Sequence, residues 1–328
     1  MSYRQQVSFS SIRRYQNGIL VACEEPLDHV RRKSMTTETR QSIDPRTDLG
    51  PVLLTIANLE RSLEFYGEVL GFRLHRRVGV SAYLGAGGED LLVLTEEQGA
   101  KPRPRNTTGL YHYAILLPDR AALARSLMRL VDKDYPLWGA SDHLVSEALY
   151  LDDPDGNGIE IYRDRPRGEW RWSGGMIEMD TRRLDPGGLL REPGSERPWE
   201  GLPTGTSIGH VHLHVRDLQE AEHFYHGTLG FDVATRYGEQ ALFVSAGGYH
   251  HHVGLNTWAG AGAAPPPEGS VGLRYFTVRV PGVSELDRLV RRLREDGVVF
   301  EEKLDSIFLR DPSGNGIAIT DGSGAEGV

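Results

Sequence analysis

Apolar residues recur at every third or fourth position between Leu59 and Leu70, at Leu59, Leu63, Tyr66 and Leu70, which is the spacing of one helical face. Gly71 follows directly, where a residue able to adopt left-handed dihedrals closes a helix. Upstream, Pro51 to Ile56 reads as a strand, and short strands follow the helix to about Leu94. The succession then returns. Gly109 to Leu117 predicts a strand, and Asp119 to Val131 a helix with alanine and leucine on one side and Asp119 as N-cap. Glu147 to Leu151 and Gly158 to Tyr162 predict strands on either side of an Asp-Pro/Gly-Asn turn. Each stretch is a β-α-β-β-β module.

The chain also repeats itself on a longer scale. Asn58-Leu59 with Phe65-Tyr66 and Leu70-Gly71-Phe72 reappears as Asp217-Leu218 with Phe224-Tyr225 and Leu229-Gly230-Phe231, an offset of 159 residues. Asp153-Pro154-Asp155-Gly156-Asn157-Gly158 reappears as Asp311-Pro312-Ser313-Gly314-Asn315-Gly316, an offset of 158. Two segments repeating at nearly one offset indicate duplication. The expected organisation is a leader over 1–48, a domain of modules one and two over 49–163, a linker over 164–206, a domain of modules three and four over 207–321 and a tail over 322–328. The linker is rich in Gly, Pro and Trp. Trp138, Trp170, Trp172 and Trp199 lie in or near it, so parts of it are expected to pack down.

Composition narrows the class. The 328 residues are 39% hydrophobic and 25% charged, ordinary for a globular protein. No apolar run approaches the roughly 18 residues of a membrane span. With 37 basic and 46 acidic residues the net charge is −9, which argues against nucleic acid as a partner. A lone cysteine, Cys23, excludes an intramolecular disulfide and fits a reducing, cytoplasmic setting. The stretch Ile19 to Cys23 is too short for a signal-peptide core. Met35 is an alternative start that would leave residues 1–34 outside the native chain. Histidine is over-represented locally: eight of 12 lie between His210 and His252.

The repeated segments resemble the vicinal oxygen chelate superfamily of glyoxalases, bleomycin-resistance proteins and extradiol dioxygenases. Gly109-Leu110-Tyr111-His112-Tyr113-Ala114 with Asp142 to Glu147, and Tyr249-His250-His251-His252 with Asn256-Thr257-Trp258, are similar to the catechol 2,3-dioxygenase branch. The resemblance implies an α+β fold in which four βαβββ modules pair into two open sheets, with metal ligands on the first and last strands of a module. The corresponding positions here are Pro51 in module one, His112 and Glu160 in module two, His210 in module three, and Tyr275 and Ala318 in module four. Only modules two and three together retain two imidazoles and a carboxylate. A crossed pairing is therefore expected, module two with three and one with four. Such a triad leaves open positions on Fe(II); ligand type does not separate Fe(II) from Mn(II). His210, His212 and His214 alternate, so all three project from one strand face.

The resemblance further implies that Tyr150 contacts the bound catecholate, that His143 is a nearby pocket histidine, and that His251 is the acid–base residue. Its unperturbed pKa of about 6.5 suits that work. If His250-His251-His252 opens the last strand of module three, alternation sends His251 to the face opposite His250 and His252. His212, His214, His250 and Asn256 are weaker candidates for the pocket wall, and Trp258 reads better as structural. The implied activity is Fe(II)-dependent cleavage of an aromatic diol beside its hydroxyls with incorporation of both atoms of O2, by a cytoplasmic protein of the kind that often forms homo-oligomers. A glyoxalase-type lyase or isomerase and a metal-free, drug-resistance-type binding protein are the rival readings.

Overall fold

The computed structural model describes residues 42–303 and 305–322. Residues 1–41 of the expected leader, with Cys23 and Met35, and the tail past 322 lie outside the described residues. Packing against the core is already present upstream of Leu49: Ile43 is buried, and its amide donates to Gly230 O at 2.8 Å.

All four modules are present. Module one comprises strand Asp48–Ile56, helix Leu59–Glu64 and strands Arg73–Val78, Ser81–Gly85 and Asp90–Glu96. Module two comprises strand Gly109–Leu116, helix Arg120–Asp132 and strands Gly139–Asp142, Ser146–Asp152 and Gly158–Asp164. Module three comprises strand Ser207–His214, helix Leu218–Glu222 and strands Asp232–Tyr237, Ala241–Ser245 and Val253–Asn256. Module four comprises strand Gly272–Arg279, helix Val283–Glu295 and strands Phe300–Lys303, Ser306–Arg310 and Gly316–Thr320. Three of these four helices begin where short polar side chains can accept from free amides: Asn58 from Arg61 N, Asp119 from Ala122 N and Asp217 from Glu220 N. The first and third helices run on into π-helical turns, Phe65–Val69 and His223–Thr228. Gly71 then takes φ of 81°, as its place after the helix requires.

Inside a module the first strand lies parallel to the last, His112 beside Gly158 and His212 beside Gly254. That leaves one edge of each first strand open, and an open edge pairs with whatever matches it. Modules one and four join through theirs into an eight-stranded sheet, with Leu53 opposite Tyr275. Modules two and three join likewise, His112 opposite His212, in a nine-stranded sheet that also takes Arg182–Arg183 from the linker at its edge. The pairing is crossed, as the distribution of ligand residues leads one to expect.

The repeated segments explain what ties the crossed sheets together. Tyr66 of module one donates its hydroxyl to Asp153 Oδ2 of module two at 2.8 Å, and Tyr225 of module three does the same to Asp311 of module four at 3.0 Å. Each carboxylate also holds its own Asp-Pro-x-Gly-Asn turn, accepting from the Asn157 or Asn315 amide at 2.8 Å. The linker packs down through Trp170, Ile177, Leu184, Leu189 and Leu202, all buried, whereas Trp138 and Trp172 stay about half exposed. Among the described residues no helix is long and apolar enough to cross a membrane.

Candidate metal centre and cavity

Three side chains meet at the seam of the nine-stranded sheet. His112 and His210 occupy the fourth positions of the two strands Gly109–Leu116 and Ser207–His214, and Glu160 pairs with Ala114 from the parallel last strand of module two. Glu160 Oε2 lies 3.1 Å from His112 Nε2 and 3.2 Å from His210 Nε2. One donor atom from each of the three falls within 4.8 Å of the others, and no second group of this kind gathers among the described residues. In the eight-stranded sheet the matching positions are Pro51, Tyr275 and Ala318, which offer no such set.

All three side chains are buried, and their hydrogen bonding is incomplete. His112 Nε2 is close to Glu160 but outside hydrogen-bond geometry, and neither of its ring nitrogens has a partner; His210 Nδ1 also lacks one. Buried polar atoms are normally satisfied. Burial favours the uncharged carboxyl of Glu160, yet His210 and His112 beside it hold it well below the usual carboxylate range. Burial lowers His210 to about 4 against the pull of Glu160. At neutral pH the cluster is thus a carboxylate with His210 neutral, the protonation state in which these donors bind a cation. The residues present fit a divalent metal on the chemistry of this donor set and on the orphaned His112 Nε2.

A fourth protein donor would have to come from module three's last strand. If His112 matches His210, then Ala114 matches His212, and Glu160 matches Gly254, which pairs with His212. A Cβ at Gly254 would stand 2.9 Å from the His212 ring, so the imidazole packs where a side chain would otherwise lie.

A cavity of about 410 Å³ opens beside the cluster, lined among others by His112, Glu160, His212 and His251. Apolar walls come from Trp138, Val145, Met179, Phe243 and Trp258. Tyr150 lines it too and stands opposite Glu160 on the neighbouring strand. Burial, then the Glu160 charge, pushes the Tyr150 phenol well above its ordinary value, so it remains protonated. Its hydroxyl is 2.7 Å from His143 Nε2. His143 Nδ1 donates to Asp180 O at 2.8 Å, so in the neutral ring Nε2 accepts from Tyr150.

His251 also lines the cavity, with its ring centroid 4.1 Å from that of His210. Burial and the surrounding imidazoles hold it well below the ordinary histidine value. Strand alternation does not place it there. The strand of module three starts at Val253, and residues 250–252 form the bend before it. His250 and His251 face each other, Nδ1 to Nδ1 at 2.8 Å, rather than pointing to opposite faces. Three weaker candidates are corrected. His250 sits behind His251 and contacts Asp164, while His214 and Asn256 contact each other at 2.7 Å; none of the three lines the cavity. Trp258, read as structural, does line it. Asp164 went unrecognised in the sequence. Its signal was the period of two that puts Glu160, Tyr162 and Asp164 on one strand face. Met179 and Thr181 carried no comparable signal, because they reach the cavity from the irregular linker.

Comparison with known proteins agrees with this fold. The profile of the Glyoxalase/Bleomycin resistance protein/Dioxygenase superfamily matches residues 48–161 and 207–319. The chain is 50% identical over 275 residues to Catechol-2,3-dioxygenase of Bacillus subtilis (strain 168), covering 83% of this chain and 96% of that one. It is 29% identical over 115 residues to Glutathione transferase FosA of Serratia marcescens, 35% of this chain and 79% of that one. Among solved structures, glyoxalase I from Zea mays superposes with a TM-score of 0.53 at 16% identity, over 84% of this chain and 92% of that one. The chain belongs to the glyoxalase/bleomycin resistance protein/dioxygenase superfamily. Its likeness to the Bacillus enzyme over nearly that enzyme's whole length places it among the dioxygenases.

Proposed function

We propose that this protein is an Fe(II)-dependent extradiol dioxygenase that opens the ring of an uncharged catechol, with His112, Glu160 and His210 as the metal ligands. The observation that carries this reading is the buried triad of two imidazoles and one carboxylate beside a mostly apolar cavity. A triad without a fourth protein ligand suits non-haem Fe(II) oxygen chemistry. The 50% identity to a catechol-2,3-dioxygenase supports the same substrate class. Gly254 at the fourth position counts against a glyoxalase-type site with four protein ligands. Mn(II) would accept the same donors.

Bound at the triad, Fe(II) would supply open coordination positions and one-electron chemistry between diol and O2. The remaining work belongs to the chain. The apolar walls hold the ring and keep water out. Tyr150, protonated and donating to His143, presents its hydroxyl oxygen as an acceptor for a diol hydroxyl. His251 takes a hydroxyl proton from the diol and returns it later in turnover.

The substrate's charge follows from the wall. Among the described lining residues the arginine is Arg236, and Glu222 engages it at 2.8 and 2.6 Å. Asp180 at the rim is likewise paired, with Arg182 at 3.0 Å. A carboxylated ring would find no available cation there.

The test is metal content of anaerobically purified protein together with oxygen uptake on adding catechol. Stoichiometric iron, oxygen uptake and a yellow ring-opened product are expected. Zinc or nickel without oxygen uptake would transfer the protein to the lyase or isomerase reading. Failure to retain any metal after iron loading would make it a binding protein.

A further inference from the structure

Behind His251 runs a row of hydrogen bonds to the protein surface. His250 Nε2 is 2.9 Å from Asp164 Oδ1, and His250 Nδ1 is 2.8 Å from His251 Nδ1. The His250 ring is fully buried and boxed by aromatic rings, with centroids of Tyr249 at 4.1 Å, Trp170 at 5.4 Å and Tyr162 at 6.0 Å. Asp164 is 24% exposed in its side chain, so the row ends at solvent.

The direction of each bond can be assigned. A carboxylate only accepts, so His250 Nε2 carries the hydrogen toward Asp164. With one N–H on each ring, His250 Nδ1 is then the acceptor. His251 Nδ1 must then be the donor, and His251 Nε2 is left with a bare lone pair. We infer that Asp164 and His250 are positioning residues that fix the orientation and tautomer of His251, keeping its Nε2 free to accept a proton from the diol. This rests on the reading of His251 as the acid–base residue. In that step the diol O–H bond breaks, its electron pair stays on oxygen, and the proton is held on Nε2 of His251. The resulting imidazolium is steadied through His250 by the Asp164 carboxylate. The aromatic box gives His250 a single orientation, and the linker's Trp170 is one of its walls.

The test uses the iron-loaded full chain. In Asp164→Asn the amide can donate to His250 Nε2, which lets the row reverse and places the hydrogen on His251 Nε2. The expected result is a fall in kcat of roughly 10²-fold, the lower end of what lost acid–base catalysis costs. Iron content and the Kd of catechol measured anaerobically should hold at the wild-type values. Asp164→Glu should restore part of kcat. Should Asp164→Asn fail to fold, His250→Gln, which offers one donor and one acceptor, is expected to keep more kcat than His250→Phe, which fills the box and breaks the row. His251→Ala separates this inference from the reading beneath it. Wild-type kcat in His251→Ala would overturn both. A slow His251→Ala with wild-type kcat in Asp164→Asn and His250→Phe would overturn the positioning role alone, as would loss of iron or of catechol binding in Asp164→Asn.

Discussion

The hydroxyl of Tyr66 lies 2.8 Å from Asp153 Oδ2, across 87 residues and between modules that belong to different sheets. Asp153 is buried, and burial raises its carboxyl above the ordinary value even though Asn157 and Tyr66 pull it down. Removing the hydroxyl leaves Asp153 Oδ2 with Asn157 Nδ2 as its donor and takes away the acceptor of the buried Tyr113 hydroxyl. Tyr66→Phe should therefore cost about 1–3 kcal/mol of stability, the desolvation penalty of an unsatisfied buried group. The equivalent Tyr225→Phe should cost a similar amount at Asp311, and the two losses should add because the sites share no partner. Urea denaturation of both single variants and the double variant measures this. Full stability in Tyr66→Phe would show that the bond contributes nothing.

The crossed site makes a sharper claim about iron. Glu160→Gln, His112→Ala and His210→Ala should each purify without stoichiometric iron, although His210 comes from the other half of the chain. Tyr275→Phe should keep its iron, since that sheet holds no ligand set. Iron and oxygen uptake retained by His210→Ala would refute the assignment.

Substrate charge is the third expectation. Catechols with neutral alkyl substituents should be cleaved with at least about tenfold higher kcat/KM than 3,4-dihydroxybenzoate, a difference of about 1.4 kcal/mol in transition-state binding. Glu222→Ala frees Arg236 and should narrow that ratio. Equal kcat/KM values in the wild type would mean that the wall does not discriminate by charge.

Acid stability should depend on Glu147. This buried carboxylate accepts from Arg120 at 2.7 Å and from Arg163 at 2.7 Å, with Arg165 at 3.6 Å. Burial would raise its pKa, but the arginines outweigh that and hold it below the ordinary value. A lowered folded pKa means that the stabilisation is complete above the unfolded value of about 4.3 and is lost as pH falls through the folded one. Glu147→Gln should cost about 3 kcal/mol near neutrality, in the range for breaking a buried pair. That cost should shrink progressively below about pH 4. Thermal melts of both proteins between neutral and acid pH test it, and a cost that does not vary with pH would contradict the sign.

How much was legible follows from what kind of order each feature has. The modules, the cap at Asp119 and the crossed pairing were readable because helical spacing, Asp119 and the loss of ligands at Pro51, Tyr275 and Ala318 are all local in sequence. His112, Glu160 and His210 came together through strand register, which duplication reveals. The surroundings of His251 were not readable in the same way. His250 and His251 sit in a bend, where the alternation of strand faces does not apply. Trp170 and Met179 reach the site from an irregular segment whose path depends on packing. Asp164 ends its strand, and its partner His250 stands 86 residues later, a pairing that strand periodicity does not reveal.

The crossed arrangement also bears on when the centre can exist during synthesis. His112 and Glu160 emerge from the ribosome well before His210, and the strand that brings them their third donor pairs with a neighbour translated about a hundred residues earlier. A nascent chain halted in the linker carries two of the three proposed ligands and an unpaired sheet edge. Such an edge is a site for mispairing, and contacts this distant in sequence form slowly. Metal capture at the proposed centre would therefore be a late event in the life of this chain, and truncated products should be both metal-free and prone to aggregate.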